Sequence, residues 1–87
     1  MAASGSAPRR RLTVPELGIG DAPLLLSLWL VPPGARVVAG DRVVELAAGG
    51  VTIDLEAPVS GRLVAQLADE DEPLAAGAAI AEFEVAE

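Results

Sequence analysis

Residues 43–56 read Val-Val-Glu-Leu-Ala-Ala-Gly-Gly-Val-Thr-Ile-Asp-Leu-Glu, and this stretch decides the fold. From Val51 to Glu56, apolar and polar residues alternate with the period of two that marks a strand with one buried face. The pair Gly49-Gly50 separates this run from the one before it, and two adjacent glycines accept positive φ at both central positions of a tight turn. The stretch therefore predicts a β-hairpin with a two-residue turn at Gly49-Gly50.

The spacing of glycine and proline along the rest of the chain also predicts short strands. Glycine and proline recur so often that their longest interval from Leu12 onward, Arg62 to Glu72, spans eleven residues. Seventeen alanines favour helix instead. The segment 62–70 fits either a helical stripe or one face of a strand, and we favour the strand because turns and β-branched residues surround it. The predicted class is all-β.

An internal repeat relates the two halves at an offset of 37 residues. Similar residues recur in the pairs Leu26/Leu63, Leu30/Leu67, Val37/Leu74, Gly40/Gly77, Val43/Ile80, Glu45/Glu82 and Leu46/Phe83. Two copies are too few for a solenoid. They predict a flattened barrel or sandwich with pseudo-twofold symmetry, in which each half supplies one sheet.

The composition argues against catalysis. The 87 residues, enough for one small domain, contain no histidine, cysteine or tyrosine, and all six basic residues are arginines. Ser27 and Ser60 therefore have no histidine or lysine to activate them, and we expect no catalytic residue and no enzymatic activity. Asp54 and Glu56 form a carboxylate pair on one face of a predicted strand, and the run Asp69–Glu72 forms another acidic group. The run Asp69–Glu72 either holds a hard cation weakly through oxygen ligands or is simply solvated. Solvation is the commoner case, so no metal site is predicted.

Charge is distributed unevenly along the chain. Three arginines, Arg9–Arg11, lie in a predicted disordered tail of residues 1–11, where they are either solvated or used for docking. From Leu12 onward the net charge is −10, three arginines against thirteen carboxylates, which argues against nucleic-acid binding. The acidity serves either solubility or docking to a basic face of a partner enzyme.

No targeting or membrane segment is evident. The longest apolar run, Leu24–Val31, has eight residues, far fewer than the roughly 20 that span a bilayer. The N-terminal residues lack the apolar stretch of a secretory signal. We therefore expect a cytoplasmic protein, not membrane-bound, and a monomer.

Several motifs resemble the lipoyl domains of 2-oxo acid dehydrogenase complexes and the related biotinyl domains. Val14–Gly18 resembles their Met-Pro-X-Leu-Gly opening, and Trp29–Gly34 resembles Trp-Leu-Val-Lys-Pro-Gly. The family's Gly-Asp and the acidic residue before its hairpin fall on Gly40-Asp41 and Glu45, and Ala57–Gly61 matches the segment leaving the hairpin. Pro73–Gly77 resembles the Val-Pro-Val-Gly region of the second half.

This resemblance implies a barrel-sandwich hybrid of two four-stranded antiparallel sheets over residues 12–87. It implies that Trp29 is a core or barrel-end plug. It places Gly34, Gly40, Gly61 and Gly77 where φ is positive or backbone packs closely, and Asp71 at a turn where the family usually has glycine. The expected core comprises Val37, Val43, Leu46, Ile53, Leu55, Val59, Leu63, Leu67, Leu74, Ile80 and Phe83.

The hairpin tip departs from the family. Lipoyl domains read Glu-Thr-Asp-Lys-Ala there, and these positions fall on Ala47, Ala48, Gly49, Gly50 and Val51. Biotinyl domains read Ala-Met-Lys-Met. Gly50 takes the place of the attachment lysine, and without its amine no amide to lipoate or biotin forms. The resemblance then implies a lipoyl-like domain without a cofactor.

Three functions remain open for such a domain. The first is docking, assembly or regulation beside a 2-oxo acid dehydrogenase-type or other lipoate- or biotin-dependent enzyme. The second is a module of a larger acyltransferase, carboxylase or transport-adaptor chain. The third is a regulatory domain on the same fold that binds a small molecule.

Overall fold

The computed structural model describes residues 7–17 and 23–86, and every regular element in these two ranges is a β-strand. The eight strands are β1 (Arg9–Thr13), β2 (Leu24–Trp29), β3 (Arg36–Val37), β4 (Arg42–Ala48), β5 (Val51–Glu56), β6 (Gly61–Gln66), β7 (Pro73–Leu74) and β8 (Ala79–Val85). The all-β prediction is confirmed, and so is the strand at 62–70. No helix able to cross a membrane occurs in either described range.

The strands form two four-stranded antiparallel sheets, as predicted. One sheet has the order β1-β8-β6-β3 and the other β5-β4-β2-β7. A shift of 37 residues carries β2, β3 and β4 onto β6, β7 and β8. Three strands of each sheet therefore have an equivalent in the other, and β1 and β5 hold the remaining edge positions, which confirms the pseudo-twofold relation.

The prediction that each half supplies one sheet is wrong. The short strand β3 of the first half pairs with β6, and its equivalent β7 of the second half pairs with β2. The two repeats, β2–β4 and β6–β8, thus exchange one short edge strand each. The repeat identifies equivalent strands, but it carries no information about which half a two-residue strand pairs with.

Matching β-bulges interrupt the two sheets. The register shifts between Leu26 and Leu28 where β2 pairs with β4, and between Leu63 and Ala65 where β6 pairs with β8. An extra residue reverses which side chains face inward beyond the bulge. Leu67 is consequently 47% exposed, so its predicted place in the core is wrong, and its equivalent Leu30 is 40% exposed.

The core lies between the sheets, and Phe83, Leu26, Leu46, Leu63 and Ile80 are its largest fully buried side chains. Of the other predicted core residues, Val37, Val43 and Leu55 are buried, while Ile53, Val59 and Leu74 are partly buried against the core. The prediction missed Val14, Leu26, Val44, Ala48, Ala57, Ala68 and Ala81. Alternation of buried and exposed residues does not predict Val44 and Ala81, because each directly follows another buried residue.

Trp29 is partly buried and packs against the core, in agreement with its predicted role as a plug. Its indole nitrogen Nε1 donates a hydrogen bond to the carbonyl oxygen of Ala68, at 3.1 Å. An indole donor that leaves water needs such an acceptor. This hydrogen bond links Trp29 in the first half of the chain to Ala68 in the second half.

The predicted tail of residues 1–11 is wrong for Arg9–Arg11, which begin β1 and pair with Glu82–Glu84 of β8. Residues 1–6 lie outside the described part of the chain. Arg9 and Arg11 contact the carboxylate of Glu82 at 2.9 and 3.5 Å. Opposite charges across a strand pair stabilise it, so this basic triplet can extend an edge strand.

The predicted special backbone positions are confirmed. Gly34 has φ of 89°, and its equivalent Asp71 has φ of 68°, in the left-handed region that aspartate tolerates better than most residues. Gly40 and Gly77 also have positive φ. At Gly61 the reason is close packing instead, because an added Cβ atom would overlap the carbonyl oxygen of Glu84.

Candidate functional site

The hairpin between β4 and β5 has the predicted two-residue turn. Ala48 lies opposite Val51, and Gly49 and Gly50 between them have φ of 55° and 86°. Positive φ at both central residues defines a type I′ turn, whose twist matches that of the flanking strands. The strand ladder below the turn is regular from Ala48 down to Val44, so the tip projects from a regularly paired base.

The tip itself offers no reactive group. Gly49 and Gly50 are exposed, Val51 is 52% exposed, and no side chain from Leu46 to Ile53 carries a charge. A Cβ atom added at Gly50 would meet no atom within 4 Å. Space is therefore available for a side chain there, and the backbone conformation is what disfavours one.

Charged groups begin at the fourth residue pair below the tip, where Glu45 lies opposite Asp54. Asp54 forms an ion pair with Arg42 at 3.3 Å, in which the Arg42 side chain is largely exposed and the Asp54 side chain is partly exposed. Glu45, the acidic residue leading into the hairpin, accepts a hydrogen bond from the Ser27 hydroxyl at 3.0 Å. Sequence reasoning missed this second contact, since Ser27 is the extra residue of the β2 bulge and only the register brings it to Glu45.

Two of the four carboxylates in the run Asp69–Glu72 accept hydrogen bonds from nearby backbone nitrogens. Glu70 accepts from the backbone nitrogen of Trp29 at 3.1 Å, and Glu72 accepts from that of Asp69 at 2.9 Å. Across residues 7–17 and 23–86, no group of three or more histidine, cysteine, aspartate or glutamate side chains is arranged to hold a metal ion. Ser60 is likewise used structurally, its hydroxyl accepting from the backbone nitrogen of Ala39 at 2.9 Å.

Two acyltransferase components resemble the chain in sequence. The first is the dihydrolipoyllysine-residue acetyltransferase component of the acetoin cleaving system of Pseudomonas putida, 34% identical over 70 residues. The second is the dihydrolipoyllysine-residue acetyltransferase component of the pyruvate dehydrogenase complex of Corynebacterium glutamicum, 34% identical over 80 residues. The matches cover 80% and 92% of this chain but only 19% and 12% of those proteins.

The fold also matches a solved structure. A chain described under "Structure and function of a single-chain, multi-domain long-chain acyl-coa carboxylase" superposes with a TM-score of 0.74 at 21% identity. The match covers 99% of this chain and 8% of the carboxylase. The biotin/lipoyl family profile, described as "Biotin-requiring enzyme", matches residues 10–83. The eight-stranded double sheet and this match over most of its length establish that the chain belongs to the biotin/lipoyl domain family.

Proposed function

We propose that this chain is a lipoyl-type domain that carries no prosthetic group and acts as a docking or assembly module. The observation that carries the proposal is the projecting hairpin in a chain without lysine. A carrier domain needs a primary amine at the tip, because the amide to lipoate or biotin is formed on that nitrogen. Two glycines leave the scaffold in place and remove this chemistry.

The sequence relatives suggest the class of partner. Both are named as dihydrolipoyllysine-residue acetyltransferase components, one of an acetoin cleaving system and the other of a pyruvate dehydrogenase complex. We propose that the partner is a component of a 2-oxo acid dehydrogenase-type complex or another lipoate- or biotin-dependent enzyme. No catalytic role is assigned to this chain, and a cytoplasmic location and a monomeric state remain predictions.

The second candidate function is that of a module within a longer polypeptide, and one observation favours it. The chain spans less than a fifth of the length of the curated relatives that it matches. Under this hypothesis the domain is one part of an acyltransferase, carboxylase or transport-adaptor chain. Measuring the mass of the native polypeptide decides between a separate domain and a part of a longer chain.

A small-molecule regulatory role is the third candidate function. It is tested by thermal shift against metabolites, since a specific ligand raises the melting temperature.

The experiment that tests the docking proposal has two arms. In the first, the protein purified from its native cells is analysed by intact mass spectrometry, and the mass of the unmodified polypeptide is expected. In the second, the purified dehydrogenase, acyltransferase and flavoprotein components of the host's own complexes are titrated with the chain by isothermal calorimetry. Saturable binding to one component is expected.

A lipoyl or biotinyl mass on the native protein would refute the proposal. Failure to bind any of the purified components would refute the docking role while leaving the absence of modification standing. A chain with residues 47–51 replaced by Glu-Thr-Asp-Lys-Ala serves as the matched control in the first arm. It shows that the host's ligase and the mass measurement work.

A further inference from the structure

The outer face of the sheet β1-β8-β6-β3 carries a row of charged residues that crosses all four strands. Arg9 lies opposite Glu84, which lies opposite Arg62, which in turn lies opposite Arg36. Directly opposed residues in antiparallel strands project from the same face. The neighbouring row adds Arg11 and Glu82, so this arginine face holds four arginines and two glutamates.

The arginine face stands out because the whole chain has a net charge of −7. Five of the six arginines lie on strands of this sheet, and only Arg42 lies on the other. Arg10 differs from its neighbours because it pairs with the inward-facing Phe83. The distribution concentrates positive charge on one side of an acidic molecule.

Positive charge is in excess at the Arg36 end of this row, where Glu84 is the only carboxylate directly opposite the Arg36/Arg62 pair among the described residues. Glu82 is occupied by Arg9 and Arg11 at 2.9 and 3.5 Å. Within the described residues, no carboxylate oxygen lies within 4.0 Å of the guanidinium of Arg36 or Arg62. Like charges placed directly opposite each other destabilise a strand pair. The Arg36/Arg62 pair therefore opposes folding stability, and a binding role accounts for it better than a structural one.

A groove opens at the same edge of the sheet. Its volume is about 250 Å³, and it is lined by Arg36, Val37, Val38, Ser60, Gly61 and Ala86. Val38 is 64% exposed at its rim, unusually open for a valine. The lining is mostly aliphatic with one guanidinium, a combination suited to a carboxylate next to a small apolar side chain.

The strand beside this groove is short and lies at the sheet edge. Strand β3 has two residues and pairs with β6 on one side alone. Edge strands present backbone groups that an extended peptide can contact. The occupant that fits is therefore extended, anionic and partly apolar.

We propose that the arginine face docks an extended acidic segment of a partner protein. Its carboxylates bind Arg36 and Arg62, and a small apolar side chain enters the groove between Val38 and Ala86. This inference deepens the proposed docking function and rests on it. A second copy of this chain is disfavoured because two molecules of charge −7 repel each other. Nucleic acid is disfavoured because Glu82 and Glu84 share the face.

The first test uses a defined probe, an eight-residue peptide of alternating glutamate and valine, titrated into isotopically labelled protein by NMR. Shift changes are expected at residues 36–38 and 60–62, weakening as salt is raised. Arg36→Gln and Arg62→Gln should each weaken binding about tenfold, the effect of losing one charge-assisted contact. Arg42→Gln, an exposed arginine on the other sheet, is the matched control and should change the affinity less than twofold.

Several results of this titration would overturn the proposal. One is the absence of NMR shift changes at residues 36–38 and 60–62. Another is a loss of peptide affinity in Arg42→Gln equal to that in Arg36→Gln or Arg62→Gln. A third is tighter binding of a DNA oligonucleotide than of the peptide. Concentration-dependent dimerisation in sedimentation that Arg36→Gln abolishes would assign the face to a second copy instead. A peptide with lysine in place of glutamate should not bind.

The second test separates this inference from the proposed function. The double variant Arg36→Glu/Arg62→Glu is titrated against the component that binds the native chain, alongside Arg42→Glu. Loss of binding only in the double variant supports the arginine face. Undiminished binding by the double variant refutes the arginine face and leaves docking intact, whereas no binding by the native chain refutes docking itself. Circular dichroism of each variant verifies its fold.

Discussion

Trp29 and Gln66 make the same hydrogen bond in the two halves of the molecule. Trp29 Nε1 donates to the carbonyl oxygen of Ala68, and Gln66 Nε2 donates to that of Val31, both at 3.1 Å. The donors are 37 residues apart and so are the acceptors. An indole and a carboxamide thus perform one structural task, which similarity of residue type alone does not reveal.

We expect both bonds to contribute to stability. Trp29→Phe and Gln66→Met each remove the donor while keeping most of the apolar volume, and each should lower the free energy of unfolding by about 1 kcal/mol. Urea denaturation followed by far-ultraviolet circular dichroism measures this. Leu67→Gln is the control, because Leu67 is exposed and its side chain takes part in neither hydrogen bond. This substitution should change the free energy of unfolding by less than about 0.5 kcal/mol. Two donor variants as stable as the native chain would contradict the prediction.

Gly61 should tolerate no side chain. A Cβ atom there would overlap the carbonyl oxygen of Glu84 on β8, and both partners are backbone of paired strands. We expect Gly61→Ala to destabilise the protein by about 2 kcal/mol or more, because the strands must separate. Thermal unfolding provides the measurement.

Gly40→Ala is the control for this effect. Its added Cβ atom would meet nothing within 4 Å, so the penalty comes from the positive φ of 97° alone. That penalty is about 1 kcal/mol. An equal or smaller loss for Gly61→Ala than for Gly40→Ala would show that β6 and β8 can move apart freely.

Glu82 makes the stability of the β1 edge depend on pH. Hydrogen bonds from Arg9, and then from Arg11, hold the pKa of Glu82 below its ordinary value. Because the folded pKa is the lower one, the contribution is present above the ordinary glutamate pKa and is lost as pH falls through the folded pKa. Glu82→Gln should remove this part of the acid dependence, measured as unfolding free energy against pH.

The comparison with Glu84→Gln controls for a general loss of charge on β8. NMR titration of the Glu82 carboxyl carbon provides the direct reading, and its midpoint should move toward the ordinary value in Arg9→Gln. A midpoint that stays unchanged in that variant would show that the pair with Arg9 does not hold the pKa down. High salt should weaken the effect, since both partners contact water.

We expect one lysine to be insufficient to restore lipoylation. Gly50→Lys forces a substituted residue into φ of 86°, and its neighbour Gly49 takes the place of the family's aspartate. Incubation with lipoate-protein ligase, ATP and lipoate should leave Gly50→Lys unmodified. The replacement of residues 47–51 by Glu-Thr-Asp-Lys-Ala should gain one lipoyl group, detected by mass spectrometry.

The two variants together test the alignment of the hairpin tip. Modification of Gly50→Lys would show that the amine alone directs the ligase. A folded Glu-Thr-Asp-Lys-Ala variant that stays unmodified would show that recognition has been lost elsewhere in the domain. Each variant has one lysine, so no other side-chain amine can confuse the assignment.

The hairpin and the double sheet could be predicted because their signals are local or repetitive. Gly49-Gly50 specifies a primed turn, and the 37-residue repeat specifies paired halves. The bulges could not be predicted, because a register shift depends on both strands, and the misplacement of Leu67 followed from that. The arginine face was missed for the same reason: Arg36 and Arg62 are 26 residues apart and become neighbours only through the β3–β6 register.

The central place of β8 in its sheet has a consequence for synthesis on the ribosome. Strand β8 lies between β1 and β6, and β7 completes the sheet that β2 and β4 begin. Nascent residues 1–78 therefore leave β1 without its pairing partner and one flank of the core open to water. The native core is therefore completed only after β8 has left the exit tunnel, and a translation product stalled before β8 should expose the apolar side chains that β8 normally covers.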